Sequence, residues 1–167
     1  MKTSTQPTPD LQRIADLIRD MRIAMLTTAE DDGVLSSRPM AALEMDTEGA
    51  IWFFTDLRSG KVDDLPLANV AFTDSDSSTY VSISGRCEIV TDRSRIHDLW
   101  TVFAKPWFPD GPDSPTLGLL KFVPDAADYW DSPDSKMVRA FSVLASVVAG
   151  KPVAMGEHGS LSDLSRD

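Results

Sequence analysis

Cysteine is nearly absent from this 167-residue chain, where Cys87 stands alone. A lone thiol excludes an internal disulfide framework and points to a reducing compartment. Histidine is almost as scarce. His97 and His158 have no second ligand at metal spacing, so both are expected at the surface and no zinc pattern is present. Long apolar runs are missing as well: Met1 to Pro9 is polar, without the hydrophobic segment of a signal peptide or membrane span, which makes the cytoplasm the expected location. Basic residues are outnumbered, 16 against 26 acidic ones for a net charge of −10. A field of that sign repels nucleic acid and anionic lipid, so neither is an expected partner. The sequence also lacks a Walker loop, a Gly-x-Ser-x-Gly elbow and a Gly-x-Gly-x-x-Gly turn after a strand, which excludes the P-loop, the serine-hydrolase elbow and the Rossmann dinucleotide site.

What remains reads as one domain. With 42% hydrophobic residues the chain is long enough to bury a core without staples, and the composition places that domain at residues 10–150, between a flexible N-terminus (1–9) and a weakly ordered tail (151–167). Helical spacing of Leu11, Ile14, Leu17, Ile18 and Met21 predicts a helix over Asp10 to Met21, started by Pro9 and Asp10. Three strands joined by short turns follow: Arg22 to Thr28, Val34 to Met45 across an Asp-Gly turn, and Ala50 to Thr55, an antiparallel meander. A short helix is predicted over Ser59 to Leu65 and a strand over Leu67 to Thr73. Thr79 to Val90 alternates in period two, with Tyr80, Ser82 and Ser84 on one face and Val81 and Ile83 on the other, and Gly85 marks a bulge. A helix is predicted over Asp92 to Ala104 with Ile96, Leu99, Trp100 and Phe103 buried. Two strands, Leu117 to Val123 and Ala126 to Trp130, are separated at Pro124, and a last helix covers Ser135 to Gly150. Roughly seven strands, mostly hairpin-connected, with short flanking helices point to a mainly β (α+β) fold, a closed or nearly closed antiparallel barrel that hides its sheet edges.

One segment carries chemistry. In Trp52-Phe53-Phe54-Thr55-Asp56-Leu57-Arg58-Ser59-Gly60-Lys61 an aromatic strand runs into a hydroxyl, a glycine and a lysine at a helix start, where backbone N–H groups and the helix dipole favour an anion. Arg38, on the preceding strand, supplies a second cation, and two cations at one strand end suit a dianionic group such as phosphate. The plainer alternative is a strand-to-helix connection capped by Ser59, with Lys61 in solvent and Arg38 paired to one of many acids.

The ordered set Ser37-Arg38-Pro39-Met40, Trp52-Phe53-Phe54-Thr55, Ser59-Gly60-Lys61, Val81-Ser82-Ile83-Ser84-Gly85-Arg86 and Tyr129-Trp130 resembles the pyridoxamine 5′-phosphate oxidase-like superfamily, and more narrowly its general stress protein 26 branch, over about residues 10–135. The resemblance implies a homodimeric split barrel that holds FMN at the subunit interface. It places Arg38 and Lys61 on the flavin phosphate with Ser59 and Thr55 assisting, and Gly60 and Phe54 beside them. It lays Pro39, Met40 and Ala41 along the isoalloxazine ring, and brings Trp107 and Trp130 to the cleft. Loop packing for Trp107 and core closure for Trp130 are the alternatives.

Departures from the biosynthetic oxidase are informative. Leu43 stands where that enzyme has a basic residue, Gly60 where it has an Arg, and its late Arg and His pair that grips pyridoxal phosphate has no counterpart after Trp130. Vitamin B6 oxidation is not expected. The resemblance implies an FMN-dependent oxidoreductase with reduced nicotinamide as donor. A flavin carrier without turnover, or the deazaflavin F420 on the same fold, are the other readings. Cys87 is expected as a core-facing strand residue with no neighbour to activate it.

Overall fold

The computed structural model describes residues 1–29, 32–59, 67–131 and 157–165. Among them, eight strands and two short α-helices run in the order β1 (Lys2–Thr3), α1 (Pro9–Ile18), β2 (Ile23–Ala29), β3 (Leu35–Met45), β4 (Ile51–Asp56), β5 (Ala68–Asp74), β6 (Thr79–Val90), α2 (Arg93–Leu99), β7 (Leu117–Asp131) and β8 (Glu157–Ser162). The period-two runs form the wall. β2 pairs β3, β3 pairs β4, β4 pairs β7, β7 pairs β6, β6 pairs β5 and β5 returns to β2, all antiparallel, which closes a six-stranded barrel and leaves none of the six an open sheet edge along its whole length.

Alternation decides what faces inward. Ala24, Leu26 and Thr28 of β2 are buried while the alternating Ile23 and Met25 are exposed, and Leu26, Val70 and Ile83 form one continuous interior row across β2, β5 and β6. α1 plugs one end of the barrel. Its start is set by the Thr8 hydroxyl, which accepts from the Leu11 amide at 3.3 Å, and by Pro9 at the first helical position. Its Leu11, Ile14, Ala15 and Ile18 complete the interior cluster. A second apolar cluster lies outside the wall. There Ile96 and Leu99 of α2 cover Trp52, Leu117 and Leu119, with Leu43, Phe54, Trp100 and Phe108 packed around them. Each such side chain taken from water contributes about 1.5–3 kcal/mol, so α2 is held mainly by this burial. The ion pair Arg95–Glu44 (2.9 Å), with Arg95 lying over the Trp52 ring, adds orientation.

The meander, the β6 alternation and the short flanking helices agree with the sequence reading, and the differences have physical causes. Residues 1–9 are tied down: Lys2 and Thr3 pair in parallel with Glu44 and Met45, and Gln6 is buried, its amide donating to the Ser4 and Asp46 carbonyls. In the tail, β8 adds to β7 from Asp131↔Glu157 to Ala126↔Ser162. Arg13 of α1 holds it by reaching both Asp131 (3.1 Å) and Glu157 (2.6 Å).

Pro124 does not divide the seventh strand. β4 leaves β7 at Phe122 and β8 joins it at Ala126, so the proline occupies the gap where β7 changes partner, and a register shift at Ser84/Gly85 absorbs the extra residue. The helix predicted to Ala104 stops at Leu99, because Trp100 turns extended and lays its ring against Phe54. Phe103, expected in the buried stripe, is consequently 77% exposed. Of the helix predicted over Ser59 to Leu65 only Ser59 is described, as the last residue of a 3₁₀ turn, Leu57–Ser59; residues 60–65 and the predicted Ser135 to Gly150 helix lie outside the described residues. No described helix is long and apolar enough to cross a membrane.

Candidate functional site

The barrel wall opens between β3 and β4. These strands pair only at Ala42↔Phe53, Glu44↔Trp52 and Met45↔Ile51, with a bulge between Ala42 and Glu44. Carried further, that register would set Ala41 against Phe54 and Met40 against Thr55. Instead β3 stays with β2 through Leu35, β4 stays with β7 through Asp56, and the two part. The Ala42 amide donates to the Arg22 carbonyl on the β2 side at 2.9 Å. Donors alternate along a strand, so the Ala41 N–H and the Pro39 and Ala41 carbonyls are directed at the split. A planar group lodged there meets backbone donors and acceptors on one edge and the end of β4 on the other.

The side chains sort onto two faces. Arg38 lies opposite Leu26, on the barrel's inner face with the half-buried Met40, whereas Pro39 and Ala41 face outward and are exposed. Arg13, Arg19, Arg58, Arg86 and Arg95 are each bound to a carboxylate, but among the described residues Arg38 forms no ion pair. Its charge acts on Cys87: burial pushes that thiol up to about 12, and the guanidinium opposes the rise. Cys87 is therefore a protonated, inert thiol, as its strand position predicts. Just after Thr55, hydrogen bonds from the Arg58 side chain and then its backbone amide hold the Asp56 carboxyl down at about 2, and the Arg58–Asp56 pair (2.6 Å) braces the turn into Leu57–Ser59.

Arg38, Pro39, Met40 and Ala41 thus lie along the β3 border of the opening and Phe54 and Thr55 along its β4 border, with the backbone of Ser59 following the end of β4. Gly60 and Lys61 lie outside the described residues. Trp107 is placed at the rim: it is 75% exposed, and the next residue, Phe108, packs on Phe54 with ring centroids 6.2 Å apart. Trp130 lies on the outer face, next to the row that runs from Met40 through Ala24, Phe72 and Val81 to Tyr129, four strands round the wall from β3. Its partners are Tyr80 and His158 on the outer face, with the His158 ring 4.9 Å from its own, so His158 is an engaged residue of β8. Sequence reasoning missed three features. The Asp56–Arg58 brace carries an i,i+2 signal that was legible. The Glu44–Arg95–Trp52 network and the His158–Trp130 stack join residues too far apart in sequence to announce themselves.

Two neighbouring rows on the outer face of β3, β2, β5, β6, β7 and β8 are low in charge. One row reads Pro39, Met25, Ala71, Ser82, Asp128 and Ser160, and the next Ser37, Thr27, Asn69, Ser84, Ala126 and Ser162, with Asp128 the one charged side chain in both. Ile23 (57% exposed) and Met25 (41%) stand bare on it beside Tyr80 and Trp130.

Comparison with known proteins bears on this geometry. Residues 9–154 match the family described as pyridoxamine 5′-phosphate oxidase like. Protein bli-3 of Neurospora crassa is 30% identical over 168 aligned residues, covering 91% of this chain and 80% of the relative. Among solved structures, a protein assigned to general stress protein 26 from Jannaschia sp. CCS1 superposes with a TM-score of 0.74 at 27% identity, covering 93% of this chain and 99% of the other. The general stress FMN/FAD binding protein of Xanthomonas citri gives 0.64 at 30% identity over 77% of this chain and 93% of its own.

Proposed function

Because the chain belongs to the pyridoxamine 5′-phosphate oxidase-like family, we propose that it holds FMN in the split between β3 and β4 and works as an FMN-dependent oxidoreductase. The observation that carries this reading is the split itself, a slot edged by backbone polar groups with Arg38, which forms no ion pair among the described residues, at its inner side. Arg38 and Lys61 would take the phosphate, and the Pro39 to Ala41 backbone would meet the ring edge, where donors stabilise charge that develops on reduction. When bound, FMN supplies hydride and electron transfer, and the protein supplies placement and tuning. Arg58 is committed to Asp56, which leaves few described cations for the acidic tail of a deazaflavin and favours FMN. Leu43, packed among Phe54 and Trp100, offers no charge to a pyridoxal phosphate, so a vitamin B6 oxidase is disfavoured.

The charge-poor outer face supports a homodimer, since interface cores are depleted of charged residues. Pro39 belongs both to that face and to the border of the split, which suits a flavin held at the junction of two copies. Reduced nicotinamide is the electron donor in this reading, and a reducing compartment such as the cytoplasm suits the single thiol. The test is anaerobic titration of the FMN-loaded protein with NADH and with NADPH. Bleaching of the visible flavin band, restored by an electron acceptor, supports the oxidoreductase. Bound flavin that neither nucleotide reduces identifies a carrier without turnover.

A further inference from the structure

Resting on the flavin reading above, we propose that the electron acceptor of this site is a planar, uncharged aromatic molecule of the quinone class, received against the aromatic rim of the split. On its outer side the opening is bordered by the small exposed Pro39 and Ala41 of β3 and by Phe54 of β4. Phe54 is backed by Trp100 at 5.7 Å and Phe108 at 6.2 Å between ring centroids, so one side of the mouth is a wall of rings. Trp107 extends that wall into solvent at 75% exposure, while its neighbour Phe108 is anchored in the cluster. A large indole kept in water beside a packed aromatic cluster is a surface for another flat ring.

Charge argues the same way. Leu43 packs into this cluster, so an alkyl group occupies the end of the ring-contacting strand. Two of the nearby cations are engaged, Arg58 by Asp56 at 2.6 Å and Arg95 by Glu44 at 2.9 Å, and Lys121 lies over the Trp52 ring at 5.9 Å. Lys105 is exposed, but it shares its loop with Asp110 in a chain of net charge −10. The rim therefore presents ring surface with little net positive charge to hold an anionic acceptor. The step balances with the donor already named: reduced nicotinamide gives up a hydride, and its two electrons and proton, with one further proton from solvent, convert the two carbonyls of the quinone to hydroxyls.

The test measures binding apart from turnover. Oxidised FMN-loaded protein is titrated with 2-methyl-1,4-naphthoquinone and with 1,4-naphthoquinone-2-sulfonate, following quenching of tryptophan and flavin fluorescence, with flavin content read independently by absorbance. The neutral quinone is expected to bind about tenfold more tightly than the sulfonate. Trp107→Ala is expected to weaken it by about 2- to 12-fold, and Trp107→Phe by less than about twofold. Leu43→Lys, checked for folding by its melting temperature, is expected to shift the preference towards the sulfonate. Equal or tighter sulfonate binding by the unaltered protein, or quinone affinity indifferent to Trp107→Ala while FMN stays bound, overturns the proposal. A protein that retains no FMN overturns the flavin reading on which it rests.

Discussion

Arg38→Ala separates a phosphate contact from a structural role. Arg38 sits half-buried on the inner face of β3 opposite Leu26 and forms no ion pair among the described residues, so its removal breaks no described salt bridge. The folded state should change by within about 1 kcal/mol, a shift of melting temperature of roughly 2–4 °C for a chain of this size. Ligand binding should respond much more. A charge-assisted hydrogen bond to phosphate contributes about 1.5–3 kcal/mol, which predicts FMN affinity weakened by about 10- to 150-fold. Riboflavin, which shares the ring but lacks the phosphate, should lose less than about threefold, because the slot that meets the ring is built from β3 backbone and from β4. The assay is fluorescence titration of both flavins against both proteins. Equal losses for FMN and riboflavin would show that Arg38 shapes the slot instead of binding phosphate, and no loss for FMN would refute the assignment outright.

Three other perturbations follow from the packing and electrostatics. Met25→Asp puts a carboxylate into the charge-poor outer face and should convert the proposed homodimer to monomer by sedimentation while leaving the barrel folded; an unaltered protein that sediments as a monomer, or a dimer that the substitution leaves intact, would refute the proposed interface. Gly85→Ala sets a Cβ 2.2 Å from the Val123 carbonyl and 2.7 Å from the Phe122 ring, a clash with backbone that cannot give way, and should cost about 1–3 kcal/mol or more in denaturant unfolding; a neutral effect would mean the bulge is more yielding than drawn. Cys87, held up at about 12 against an ordinary thiol value near 9, should resist a disulfide reagent at pH 8 until the protein unfolds. Since the folded state keeps this proton where the unfolded chain loses it, the associated stability is intact below about pH 9 and declines as pH rises from there towards 12.

Local signals were the ones legible in the sequence. β2, β3 and β4 read correctly because Gly33 and Gly49 hold positive φ in the turns between alternating runs, and β6 because Thr79 to Val90 keeps period two throughout. Closure of the wall through β5↔β2 and β4↔β7 joins distant segments, so the strand count pointed to a closed or nearly closed barrel without showing which strands meet. β1 and β8 escaped because neither carries an apolar rhythm. Glu157-His158-Gly159-Ser160-Leu161-Ser162 is held by Arg13, by the stack on Trp130, and by Gly159, whose missing side chain lets the strand lie against Tyr129. At the site, strand order placed Arg38, Met40 and Thr55 near one another. That Arg38 turns inward and Ala41 outward depends on the phase set by pairing with β2, and that Trp130 shares a strand with Leu117 depends on β7 running through Pro124.

The central claim is a flavin in the split, and it is tested most directly by the visible absorption of the purified protein after addition of excess FMN and removal of unbound flavin by gel filtration. The account predicts a retained flavin spectrum at about one FMN per chain, since each barrel has one such split bordered by Arg38. A colourless protein after that treatment would contradict it.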